Sequence, residues 1–151
     1  MYKIVSDEKD KVGMRVITVD KTDLIEAMTD FKNKGYYLTC LNGNDMKDHL
    51  EVIYFLHNFD TNDYFAVKTS TNDEHLPSLT KLFKVAEWDE REQYDLMGII
   101  FDGHDDLRRI FLPDEWVGHP LRKDYDLKKV QYVNMDSEGN EHVSFDEKEG
   151  S

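Results

Sequence analysis

The chain has 151 residues, 39% hydrophobic and 34% charged, with 8 Phe, 8 Tyr and 2 Trp, which is enough apolar matter for one folded domain and too little length for two. Its 32 acids against 19 bases leave a net charge of -13, which argues against nucleic acid and anionic membrane as partners. No apolar run approaches the ~20 residues that span a bilayer, so direct membrane insertion is excluded, and the charged N-terminus predicts no secretory leader. The single cysteine, Cys40, rules out an internal disulfide or a cysteine-held iron-sulfur cluster and fits a reducing cytosol.

Residues 1–11 form a charged N-terminal segment with no periodic signal. Residues 12–19 (VGMRVITV) alternate and then turn wholly apolar, which predicts the first strand. Asp20 is a good N-cap, and Leu24, Ile25, Met28 and Phe31 recur at helical spacing until Gly35 stops the run. Residues 36–41 (YYLTCL) predict a second strand, ended by the turn chemistry of Asn42-Gly43-Asn44-Asp45. Residues 51–59 are apolar on both parities, as in a strand covered on both faces, and pair as a hairpin with residues 64–69.

Residues 75–83 (HLPSLTKLF) place Pro77 at a helix N1 position with Leu76, Leu79, Leu82 and Phe83 on one side. Asp89 with Glu92 reads as a capping box for a second short helix that closes at Gly98. From residue 101 to 125 neither period persists, and a long aperiodic stretch in a compact chain points to function or disorder. The acidic tail, 134–151, reads as a weak hairpin or a frayed end. The residues therefore predict an α+β domain over 12–100, with a mainly antiparallel sheet of about four strands and helices on one face. An irregular segment over 101–133 follows it.

The search for chemistry is mostly negative. The glycines never form a GxGxxG or phosphate loop, and Cys40 in an apolar strand reads as a buried, inert thiol. His104, Asp106 and His119 make a metal site conceivable, at no recognised ligand spacing; a stand-alone metal module or enzyme using them is the rival reading. Glu87, Arg91 and Asp95 at successive i, i+4 positions read as a solvated charge ladder. Between His104 and Lys129, six bases balance six acids in a chain that is otherwise strongly acidic. Arginine suits bidentate pairing with carboxylates, so this segment either folds back on the EREQYD helix or reaches another protein chain.

The string EREQYDLMGIIFDGHDDLRRIFLPDEWVGHPLRKDY, residues 90–125, closely resembles the signature of the 30 kDa subunit family of respiratory complex I, the NADH-quinone oxidoreductases. It is similar as well to the small subunit of energy-converting nickel-iron hydrogenases. The resemblance extends loosely over residues 12–127, and the compact form leans slightly toward the hydrogenase branch. Asp105 stands where the family commonly has proline, KDYDL replaces KDYPL, and Thr39-Cys40-Leu41-Asn42 replaces a segment that often carries aspartates.

The resemblance implies a long extended C-terminal arm after the domain and a non-catalytic assembly role in a membrane-associated, ion-translocating electron-transport complex of the respiratory-chain type. The implied partners are a hydrogenase-like large subunit, an iron-sulfur small subunit and, through the complex, membrane subunits. The chain would carry no cofactor, since iron-sulfur clusters and any nickel-iron centre would sit in partner subunits. It would lie in the cytoplasm, peripheral on the cytoplasmic face of the membrane. By the same resemblance Glu90, Arg91, Glu92, Asp95 and Gly98 form the base of the arm, while His104, Arg108, Arg109, His119, Arg122 and Lys123 belong to its partner interface.

Overall fold

The computed structural model describes residues 1–145, so the end of the acidic tail, 146–151, lies outside the described residues. The elements run β1 (Ile4–Lys9), β2 (Arg15–Val19), α1 (Leu24–Asn33), β3 (Tyr37–Asp45), β4 (Leu50–Asn58), β5 (Asp63–Thr71), β6 (His75–Pro77), α2 (Ala86–Met97), β7 (Ile100–Asp102), β8 (Tyr132–Met135) and β9 (Glu141–Ser144). Five strands form a sheet in the order β1-β2-β5-β4-β3. Every pair is antiparallel except β2 with β5, because α1 carries the chain from β2 to the far edge and the β3-β4-β5 meander returns beside it. The α+β expectation holds, with five strands where about four were expected.

The added strand is β1, within the N-terminal segment that shows no period. Nearly all of IVSDEK is exposed, so it carries no burial pattern; its pairing with β2 rests on backbone bonds and on a turn in which the Asp10 carboxylate accepts the Val12 and Met14 N–H groups. Charged side chains on such an edge also discourage pairing with other chains. In α1 the buried face is Leu24, Ala27, Met28 and Phe31, while Ile25 points outward. Asp20 is no N-cap: its carboxylate holds the Thr22 N–H and hydroxyl in the preceding turn.

Three further expectations are corrected. β3 does not stop at residue 41 but runs to Asp45, since Asn42 and Gly43 pair with Ile53 and Val52. Turn-forming residues stay in a strand when a neighbour uses their backbone. β4 buries Leu50, Val52, Tyr54 and Leu56 but leaves Ile53 and Phe55 part-exposed, so only one face is covered. The helix expected over 75–83 is instead β6, paired in parallel with β7, followed by turns. Leu76 and Leu79 reach the core by strand and turn, which reproduces a spacing of three without a helix. No helix among the described residues is long and apolar enough to cross a membrane.

Candidate partner interface

α2 serves three surroundings at once. Toward the sheet edge, Asp89 Oδ2 accepts the Leu41 N–H at 3.1 Å and Gln93 Oε1 accepts the Gly43 N–H at 2.9 Å. A spacing of four on a helix matches a spacing of two on a strand closely enough to cover two outward N–H groups of β3. Gly43 is needed there, since a Cβ would lie 2.8 Å from Gln93 Oε1. α2 begins at Ala86 with no side-chain cap, so Asp89 and Glu92 form no capping box, whereas Gly98 closes it in the left-handed conformation as expected. Glu92 is part-exposed on the helix.

Toward the core, Glu90 is fully buried; Oε1 accepts the Leu79 N–H and Oε2 the Ser78 hydroxyl, both at 2.7 Å. Burial pushes its pKa up to about 7 against these two bonds. The Tyr54 hydroxyl, also buried and without a hydrogen-bond partner among the described residues, is raised by burial and by the nearby Glu90 charge. Asp89 is likewise raised by desolvation, opposed by the Leu41 bond.

Toward residues 103–131, the expected solvated ladder is overturned: Arg91 is 3% exposed and Asp95 is 0%. The Arg91 guanidinium donates to the Arg108 and Arg109 carbonyls and lies 4.9 Å from the Trp88 ring centroid. Asp95 Oδ2 accepts the consecutive N–H groups of Ile110, Phe111 and Leu112 at 3.1, 2.7 and 3.1 Å, a backbone nest around one oxygen. Oδ1 takes Arg109 Nη1 at 2.8 Å. Desolvation works to raise the Asp95 carboxyl, but these bonds together hold it below the ordinary range. The last carbonyls of α2 are capped by the same segment: Asp95 O accepts from Arg109 and His119 Nδ1, and Leu96 O from the Leu121 N–H. The His119 ring sits so close to Gly98 that a Cβ there would approach Cδ2 to 2.7 Å.

The positions read as partner-facing thus divide. Arg109 spends its second amino group on the Trp116 and Gly118 carbonyls; Arg122 pairs with Glu74 at 2.7 Å, and the Lys123 N–H donates to Asp45. His104 Nε2 donates to the Glu87 carbonyl while its Nδ1 accepts the Asp106 N–H. Arg108, 67% exposed and paired with Asp106, remains on the surface. Of the two routes left open for this segment, folding back on the helix is the one realised within the chain. The outer side carries what sequence reasoning missed: Phe111, Val117, Leu121, Leu127 and Val130, each more than half exposed. Their signal was present as large apolar residues in a stretch with no period to bury them. Beside them a cleft of about 450 Å³ opens between His119, Arg122, Tyr125, Lys129, Gln131 and Phe145.

Among the described residues no group of three or more His, Cys, Asp or Glu comes together to hold a metal, so His104, Asp106 and His119 are not assembled into a site. Cys40 is exposed on β3, contrary to the buried thiol expected, because the register shift between Leu38 and Cys40 breaks the alternation and sets it opposite Phe55, away from the buried face of Leu38 and Leu41.

The model of the family described as "Respiratory-chain NADH dehydrogenase, 30 Kd subunit" matches residues 17–131. The C subunit of the NADH-quinone oxidoreductase of Chloroherpeton thalassium is 38% identical over 137 residues, covering 85% of this chain and 57% of that protein. The C/D subunit of the Escherichia coli NADH-quinone oxidoreductase is 39% identical over 137 residues, covering 81% of this chain and 23% of that one. The chain therefore spans little more than half of one relative and under a quarter of the other. Among solved structures, a trypsin-resistant fragment of Nqo5 aligns with a TM-score of 0.58 at 27% identity, over 68% of this chain and 89% of the fragment. A chain of the membrane-bound sulfane sulfur reductase, an archaeal respiratory membrane complex, shares the fold with a TM-score of 0.69 at 20% identity, over 84% and 77% of the two chains.

Proposed function

The chain belongs to the 30 kDa subunit family of respiratory-chain NADH dehydrogenases, and from that membership we propose that it is a non-catalytic assembly subunit docking on a hydrogenase-like large subunit. The complex would be a membrane-associated, ion-translocating oxidoreductase of the energy-converting hydrogenase or NADH/ferredoxin-quinone type. In this reading clusters and any nickel-iron centre reside in partner chains, the iron-sulfur small subunit among them, and the chain reaches the membrane through the complex. The observation that carries it is the division of the 103–131 segment: Arg109 and the backbone N–H groups of Ile110, Phe111 and Leu112 are bound to Asp95 of α2, while the side chains of Phe111, Val117, Leu121, Leu127 and Val130 are exposed. Such apolar side chains on an otherwise polar, irregular segment mark an interaction surface. The Escherichia coli relative adds support, since its name joins C to D in one polypeptide and this chain matches only 23% of it.

The test is capture of the large subunit by the tagged full chain from co-expressing cells. Phe111→Asp with Leu127→Asp should lower the captured amount by at least about tenfold, with an unchanged circular dichroism spectrum. Undiminished capture by this variant overturns the docking reading. Arg109→Ala is a poor probe, because it strips Asp95 of its cation inside the chain. Nickel in the captured material assigns the hydrogenase type, and its absence assigns the quinone-reductase type.

A further inference from the structure

Asn42 is the one asparagine of the chain that is followed by glycine, and the pair sits in β3, the edge strand of the sheet. Asn-Gly is a labile dipeptide, because the glycine nitrogen, with no side chain beside it, can attack the asparagine carboxamide. In that step the bond from the Gly43 nitrogen to Asn42 Cγ forms, the Cγ–Nδ2 bond breaks, and ammonia leaves with the proton that Gly43 gives up. Water then opens the succinimide ring to aspartate or isoaspartate, so one water is consumed for each ammonia released. Asn42 is exposed, which leaves its carboxamide open to this attack.

Two restraints oppose it in the folded chain. The ladder pairs Asn42 with Ile53 and Gly43 with Val52, which holds the backbone extended, whereas ring closure needs the Gly43 nitrogen to swing toward the Asn42 side chain. The second restraint comes from α2, where Gln93 Oε1 accepts the Gly43 N–H at 2.9 Å. The nitrogen that must lose its proton and attack is thus the one that α2 binds. Gln93 is itself buried, at 4% exposure, so water competes little for this bond. An uncovered edge would leave the same N–H in solvent. We propose that Asn42 is a latent modification site, converted to aspartate and isoaspartate when the seam between α2 and β3 opens, and that Gln93 is the group that keeps it closed. Either product places a new charge on β3. Isoaspartate also routes the chain through an extra backbone carbon, which breaks the match of Asp89 and Gln93 to the Leu41 and Gly43 N–H groups. Conversion therefore weakens the seating of α2, the helix whose Asp95 holds the 103–131 segment. The site belongs to the chain alone, with or without a partner subunit.

The test holds the full chain in mild alkali and follows the tryptic peptide of residues 35–47 by chromatography and mass spectrometry, which read asparagine, aspartate and isoaspartate at position 42. Conversion should be at least about tenfold slower in the folded chain than in guanidinium chloride, because local opening limits it. Gln93→Met, which keeps the length of the side chain without its acceptor, should raise the folded rate at least about threefold, the scale of one lost hydrogen bond. Its rate in guanidinium chloride should equal that of the parent. Hydrogen exchange at the Gly43 amide should quicken by a similar factor while the amides of β4 and β5 stay protected. Gln93→Asn, too short to reach Gly43, repeats the test with a polar side chain and decides it if Gln93→Met does not fold. Equal rates for the folded and the unfolded parent overturn the inference. A folded Gln93 variant that converts at the parent rate overturns it as well.

Discussion

Glu90 titrates inside the core, and its burial makes stability depend on pH in a direction unusual for a carboxylate. Its folded value of about 7 lies above the ordinary 4.5, so between those values the folded chain holds a proton that the unfolded chain has lost. This contribution is fully present below 4.5 and declines as pH rises through 7. A shift of this size corresponds to on the order of 3 kcal/mol. Glu90→Gln, which is neutral throughout, should therefore gain stability relative to the parent by roughly that amount between about pH 5 and pH 7.5, measured by urea unfolding. Parallel pH profiles for the two proteins would count against it. The spacing of Glu87, Arg91 and Asp95 showed in the sequence that they share a helix face. It could not show that residues 103–131 lie over the inner two and leave Glu87 beside Lys84.

At the scale of elements, α2 is both the guard of the β3 edge and the seat of the irregular segment. One carboxylate oxygen of Asp95 gathers three backbone N–H groups that no regular element would satisfy, and buried N–H groups need partners. Asp95→Asn keeps the size but leaves Arg109 without a counter-ion, a loss of about 3–5 kcal/mol for a buried pair. It should speed hydrogen exchange at Ile110, Phe111 and Leu112 while the amides of β4 and β5 stay protected; unaltered exchange at those three would disprove the seating role. Since the Asp95 carboxyl is held below 3.8, its contribution is present above that pH and is lost as pH falls through the lowered folded value. The 103–131 segment should thus loosen in acid before the sheet does. Element ends were the least legible feature: Gly98 stopped α2 as its chemistry requires, whereas Gly43 proved to be a place of close approach and not a turn.

For the whole molecule, sheet and helices form one packed body to which a segment without regular structure is tied by polar bonds. Trypsin should cut the isolated chain first after Arg108, Lys123, Lys128 or Lys129, and the assembled complex should protect those bonds; mass spectrometry over a time course reads both. Equal cleavage in the two states would speak against the docking surface. The sequence by itself determined the β4–β5 hairpin, a strand beginning near Tyr37, α1, the stop at Gly98, the aperiodic stretch and the family. These depend on periodicity, turn chemistry and a linear signature, all local. Only the tertiary structure decided that residues 4–9 form a strand, that Pro77 closes one, that Glu90 and Asp95 are buried, and that Cys40 lies open. Periodicity records which residues share a face, but what covers that face, and which backbone pairs with an edge, is settled by neighbours remote in the chain.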